Sequence, residues 1–152
     1  MKNKYFFILL FLLLRLISDA SANEIIFESK DINILNNGSR IVSNQGIVRS
    51  VDDGLIIKAD NFDYNKNTSI LIASKKAIAS LAEKNIVINA DKFIYNKDLS
   101  TLEAIGNIKI IDSSNDILLT SDKILYHINQ QRIESESKSK IKDKLGNLFL
   151  SE

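Results

Sequence analysis

Ile86-Val87-Ile88-Asn89-Ala90-Asp91-Lys92-Phe93-Ile94-Tyr95 is the stretch whose reading decides the fold. Ile86, Ile88 and Ala90 alternate with polar or outward positions, the period of a strand with one buried face. After Asp91 the alternation resumes on the other parity, with Phe93 and Tyr95. A one-residue slip would otherwise turn both rings to solvent, so the strand must bulge or turn a corner at Asp91. The same pattern stands 31 residues earlier and 31 later, as Ile57-Lys58-Ala59-Asp60-Asn61-Phe62-Asp63-Tyr64 and Leu119-Thr120-Ser121-Asp122-Lys123-Ile124-Leu125-Tyr126. It continues into the next strand, where Leu71, Leu102 and Ile133 align, followed by Ala73, Ala104 and Ser135. A degenerate earlier copy fits at an offset of 30, with Phe27, Ser29, Ile32, Ile34, Ile41 and Ser43 in the same places.

Each copy therefore reads as two strands and a polar turn, with turns such as Asn65-Lys66-Asn67-Thr68 and Asn96-Lys97-Asp98. A small Ala59, Ala90 or Ser121 before each Asp suits a crowded bend. The Asp carboxylates are expected to accept backbone N–H groups freed at the corner, a structural rather than a catalytic task. Tyr64, Tyr95 and Tyr126 fall in line and are expected to pack at a rim or core with their hydroxyls reaching solvent. Lys138, Lys140, Lys142 and Lys144 alternate with Ser and Asp and read as a solvated face.

Composition removes much chemistry. The 152 residues fit one globular domain, and Lys+Arg 20 against Asp+Glu 19 is no footprint for binding nucleic acid. With no Cys and the single His127, disulfides, thiolate metal sites, cysteine catalysis and paired imidazoles are excluded. No phosphate loop, nucleophile elbow or acidic metal loop is present in the sequence, so neither an enzyme nor a cofactor is expected.

The first 22 residues stand apart: Met1-Lys2-Asn3-Lys4 is basic, Tyr5 to Leu14 is apolar without a break, and Ala20-Ser21-Ala22 supplies an A-x-A site. That is a secretory signal peptide pattern with the mature chain starting at Asn23, and the apolar run is shorter than the roughly 20 residues of a spanning helix.

The tandem pattern hydrophobic-x-[Ala/Ser]-Asp-x-x-x-Tyr, followed by Leu102-Glu103-Ala104-Ile105-Gly106-Asn107-Ile108-Lys109-Ile110, resembles the OstA/LptA-like domain of Gram-negative lipopolysaccharide transport over about residues 25 to 152. The first copy carries Lys30 at the acidic corner, and Lys75 stands where the third has Gly106. The resemblance implies an all-β fold, an open antiparallel β-jellyroll built from two-strand repeats, located in the periplasm. It implies lipopolysaccharide as ligand, its acyl chains shielded in an apolar groove, without catalysis. It further implies edge-strand stacking with other jellyroll domains of the transport system and delivery to an outer-membrane translocon. Ile57, Ala59, Phe62, Leu71, Ile86, Ile88, Phe93, Leu102, Ile108, Leu119, Ile124 and Ile133 are the residues expected to line that groove.

Phe149-Leu150-Ser151-Glu152 aligns with Leu119-Thr120-Ser121-Asp122 at an offset of 30, as if the chain stopped at the corner of a fifth repeat. Two readings follow: a free bridge whose last edge docks the next domain, or the amino-terminal jellyroll of a longer outer-membrane assembly protein of the LptD kind. A competing architecture is an exported parallel β-solenoid, a structural or adhesin-like protein with one coil per repeat and no lipid.

Overall fold

A computed structural model of the chain describes residues 24–151; the signal peptide expected over residues 1–22 and its expected cleavage site lie outside the described residues. Seven long strands follow one another as β1 (Ile25–Leu35), β2 (Arg40–Ser50), β3 (Leu55–Asn65), β4 (Ile70–Leu81), β5 (Ile86–Asn96), β6 (Thr101–Asp112) and β7 (Ile117–His127). Three short ones complete the set: β8 (Arg132–Ser135), β9 (Ser139–Lys142) and β10 (Leu148–Ser151). They form one sheet in chain order, in which β7 pairs with both β8 and β9, and β10 pairs with β9. Every ladder among the described residues is antiparallel. The parallel solenoid is thereby overturned, and the open antiparallel jellyroll stands. The physical reason lies in the turns, which are too short to carry a parallel crossover.

The repeat is written into those turns. Asn65 Oδ1 accepts from the Asn67 N–H and Asn96 Oδ1 from the Leu99 N–H, so equivalent asparagines fold equivalent loops. The N–H groups of Lys66, Lys97 and Ile128 donate in turn to the carbonyls of Ser39, Ser69 and Ser100. Ser69 and Ser100 take the left-handed conformation, with φ of 54° and 49°.

The corners fall at the aspartates. Ser74 pairs with Lys92 and Ala77 with Ala90, so Lys75 and Lys76 together face Asp91. Likewise Ile105 pairs with Lys123 and Ile108 with Ser121, so Gly106 and Asn107 together face Asp122. The extra residue thus sits on the strand opposite the aspartate, at left-handed backbone positions: φ is 64° and 51° at Lys75 and Lys76, and 78° and 49° at Gly106 and Asn107.

The task expected of the carboxylates needs correcting. Asp91 Oδ2 accepts from the side-chain amide of Asn107 at 2.8 Å, and Asp60 lies 3.9 Å from Lys76 Nζ. At the last corner the freed N–H groups of Asp122 and Lys123 donate to Ser137 Oγ, at 3.2 and 2.9 Å. A hydroxyl one strand away reaches those donors, whereas the Asp60 and Asp91 carboxylates face side chains of the opposite strand.

Each corner divides the sheet into two leaves. Leaf A holds the part of each odd strand before its corner, with Ile57, Ile88 and Leu119; leaf B holds the part after it, with Phe62, Phe93 and Ile124. The inward side chains of both leaves join in one cluster, with Phe62 1%, Ile88 0%, Phe93 0%, Leu102 0% and Ile124 0% exposed. Burying such side chains contributes about 1.5–3 kcal/mol each, which is what holds the sheet folded on itself.

Candidate functional site

Three contacts fix how the leaves face one another. Phe27 on β1 meets Tyr64 on β3, with ring centroids 6.1 Å apart. Ser50 Oγ, at the end of β2, lies 2.7 Å from the Tyr95 hydroxyl at the end of β5. Lys84 Nζ, in the turn between β4 and β5, donates to the Ile128 carbonyl just after β7 at 2.8 Å. Leaf A of one strand therefore covers leaf B of a strand two or three places further along, as the right-handed twist of a folded sheet allows.

The offset uncovers opposite leaves at the two ends. At the amino-terminal end no described strand of leaf A lies over leaf B of β1. There Ile32 and Ile34, paired with the inward positions Ser43 and Ile41, stand 45% and 65% exposed. At the other end, leaf A continues through β9 and β10 beyond the last described strand of leaf B. There Phe149, paired with the half-buried Ile141, is 58% exposed. Between Ile86, Ile110, Ile117, Leu119, Ile133 and Ile141 a cavity of about 330 Å³ opens, rimmed by Asp112, Ser135, Ser139 and Ser151. A larger cleft of about 560 Å³ lies at the corner between Lys58, Asp60, Lys76 and Ile78, outside the apolar interior.

Against this geometry the twelve expected groove residues divide by depth. Ile57, Ala59, Phe62, Leu71, Ile88, Phe93, Leu102, Ile108, Leu119 and Ile124 are buried in the packed middle. Ile86 and Ile133 are half-buried at the carboxy-terminal mouth, where Leu119 also shows. Ile110, Ile117 and Ile141 share that mouth and extend the same alternation; Ile32, Ile34 and Phe149 do so at the ends. What local alternation does not disclose is which inward residues the leaf offset leaves open.

The interior is electrically quiet. Burial raises the phenols of Tyr64, Tyr95 and Tyr126 above their ordinary range, so all three are neutral hydroxyls. The expectation that these hydroxyls reach solvent is corrected for two of them. Tyr95 donates to the Asp53 carboxylate beside Ser50, and the Tyr126 hydroxyl is buried without a hydrogen-bond partner among the described residues. At the mouth the Asn115 side chain and two backbone N–H groups hold the Asp112 carboxyl below its usual range, as an anion on the rim. His127, at the end of β7, lies 3.5 Å from Glu134 on the outer side. No group of His, Cys, Asp and Glu able to hold a metal ion occurs among the described residues. The arrangement can shelter alkyl chains.

No protein-family model matches the chain, and no curated protein matches it by sequence. Its fold, however, matches 18 chains of solved structure. One is LptH of Pseudomonas aeruginosa, described as the LptA-homologous periplasmic component of the lipopolysaccharide transport device. The TM-score is 0.62 over 86% of this chain and 95% of that one, at 12% sequence identity. The chain has the LptA-like jellyroll fold. At that identity the likeness speaks for the fold alone.

Proposed function

We propose that the chain is a periplasmic bridge for lipopolysaccharide, shielding acyl chains inside the folded sheet as they pass between membranes. The observation that carries this reading is the leaf offset, which leaves apolar interior surface uncovered at both ends. A second jellyroll set end to end would lay its leaf B over the bare leaf A at β9 and β10, making one slot of two. The edge strands β1 and β10 offer unpaired backbone groups for that junction. Each methylene sheltered contributes about 0.8 kcal/mol, and an apolar wall without directional bonds lets a chain slide. The likeness to LptH and the apolar leader over residues 1–22 support the same reading. In it the protein works either as a free bridge or as the amino-terminal jellyroll of an outer-membrane assembly protein, hands its cargo to an outer-membrane translocon, and catalyses nothing.

Binding of purified lipopolysaccharide to residues 23–152, read by co-elution on gel filtration, tests it. The parent chain is expected to retain the lipid. Ile133→Asp and Ile86→Asp, which put a carboxylate in the mouth, are expected to weaken retention about ten-fold or more, since an unpaired charge opposes apolar contact. Retention unchanged in both variants would remove the slot from the account.

A further inference from the structure

The outer surfaces of the two leaves differ in kind. On leaf B most of the outward charges are paired, Arg40 with Asp63, Lys123 with Glu103 and Glu136, and Arg132 with Glu134, and at the amino-terminal end of leaf A Arg49 pairs with Glu28. On leaf A the strand register sets Val87, Ile111, Leu118, Lys142 and Leu148 in one row across β5, β6, β7, β9 and β10. The adjacent row is Asn89, Lys109, Thr120, Lys140 and Leu150. Neither row holds an acid. Val87 is 36%, Ile111 37%, Leu148 59% and Leu150 65% exposed, and Lys109, Lys140 and Lys142 are exposed with no ion pair among the described residues. Asp112, Asp116 and Asp143 border the first row at its turn end beside Ile111, Leu118 and Lys142, and the first and last are held by Asn115 and Asn147.

Soluble sheet faces seldom carry large apolar side chains and lone lysines interleaved without acids. Five strands at 4.7–4.9 Å spacing make this patch about 19 Å wide, indented at its turn end by a shallow cavity of about 280 Å³ that Ile111, Leu118 and Lys142 share with Asp112, Asp116 and Asp143. Apolar side chains that sink to the headgroup boundary, flanked by ammonium groups at the phosphate level, form a surface complementary to an anionic bilayer. We infer that the outer face of leaf A, around Ile111, Leu148, Lys109 and Lys140, docks the protein on a bilayer containing anionic phospholipid. The charge complementarity selects an anionic over a neutral membrane, since Lys109 and Lys140 stand without an ion pair among the described residues and no acid shares their row. Docking here leaves the interior and both ends of the slot free, and the inference stands whether or not the slot carries lipid.

Flotation of residues 23–152, which contain the whole described sheet, with vesicles tests it. The expected result is binding to phosphatidylcholine–phosphatidylglycerol vesicles that is lost at high salt, and none to phosphatidylcholine alone. Removing one lysine near an anionic surface corresponds to about five-fold, so Lys109→Gln with Lys140→Gln should lower partition about 25-fold. Lys92→Gln, on leaf B, should leave it unchanged. Ile111→Ser should lower it while leaving the circular dichroism spectrum and thermal midpoint near the parent's, which separates docking from folding. Equal binding to both vesicle types, or binding indifferent to the paired lysine change, would overturn the inference. So would a lysine-sensitive dimer in sedimentation with no flotation, which would give the face to a second copy.

Discussion

Ser50 Oγ and the Tyr95 hydroxyl lie 2.7 Å apart across 45 residues of chain, fastening leaf A of β2 to leaf B of β5. The phenol hydrogen goes to Asp53, so the serine donates to the tyrosine oxygen. One repeat on, Leu81 and Lys84 occupy the places of Ser50 and Asp53, Lys84 turns to the Ile128 carbonyl, and the Tyr126 hydroxyl is left unpaired among the described residues.

The two tyrosines should consequently answer the same substitution with opposite signs. Tyr95→Phe removes a bond to a carboxylate and is expected to destabilise the fold by about 1.5–3 kcal/mol. Tyr126→Phe removes a buried unpaired hydroxyl and is expected to be neutral or stabilising by about 1 kcal/mol. Urea denaturation of both variants checks this; equal losses would show that the hydroxyls are equivalent.

How much of this was legible in the sequence depends on the range of the interaction. The parity flip at Asp91 and the 31-residue period locate the corners and the inward set, because both are local consequences of strand alternation. The offset between leaves depends on contacts such as Ser50 with Tyr95, and no pattern within a repeat encodes it; hence Ile86 and Ile133 could not be told from the buried Phe93. The break between β8 and β9 has a local cause visible only once the corner is known. Ser137 stands where Gly106 does one repeat earlier, and its hydroxyl captures the corner's N–H groups. The serines beside it, Ser121, Ser135 and Ser139, close into a hydroxyl network.

Corner chemistry gives a second contrasting pair. A Cβ on Gly106 would lie 2.3 Å from Asp91 Oδ2, and its φ of 78° is unfavourable for other residues. Gly106→Ala should cost about 2–3 kcal/mol, part of it recovered by Asp91→Ala in the same chain. Lys75, exposed at a φ of 64°, stands at the equivalent place, so Lys75→Gly should stabilise by about 0.5–1 kcal/mol. Thermal midpoints moving a few degrees in opposite directions would confirm it.

Alkali should unfold the protein through its phenols. In residues 23–152 the tyrosines are Tyr64, Tyr95 and Tyr126, and burial raises all three above the ordinary value of about 10. The folded state holds its phenolic protons where the unfolded state releases them. Stability is therefore full below about pH 10 and declines as pH rises beyond it. Absorbance titration should show phenolate appearing only together with loss of the strand dichroism. Phenolate formation ahead of unfolding would mean the hydroxyls are open to solvent.

End-to-end assembly can be tested by complementation. Ile34→Asp spoils the bare leaf B at one end and Phe149→Asp the bare leaf A at the other. Each variant alone should fail to form chains by light scattering, while an equimolar mixture should form dimers through the one intact pair of ends. A mixture as monomeric as its components would remove head-to-tail stacking from the account.

The central claim, an apolar slot that receives acyl chains, is met most directly by photocrosslinking in cells making labelled lipopolysaccharide. Probes belong at Ile133 in the mouth and at Phe93 in the buried middle, with the outward Ile94 beside it as control. The account predicts lipid adducts at Ile133 and Phe93 and none at Ile94. Adducts at Ile94 alone, or none at either inward position in a folded and exported protein, would contradict it.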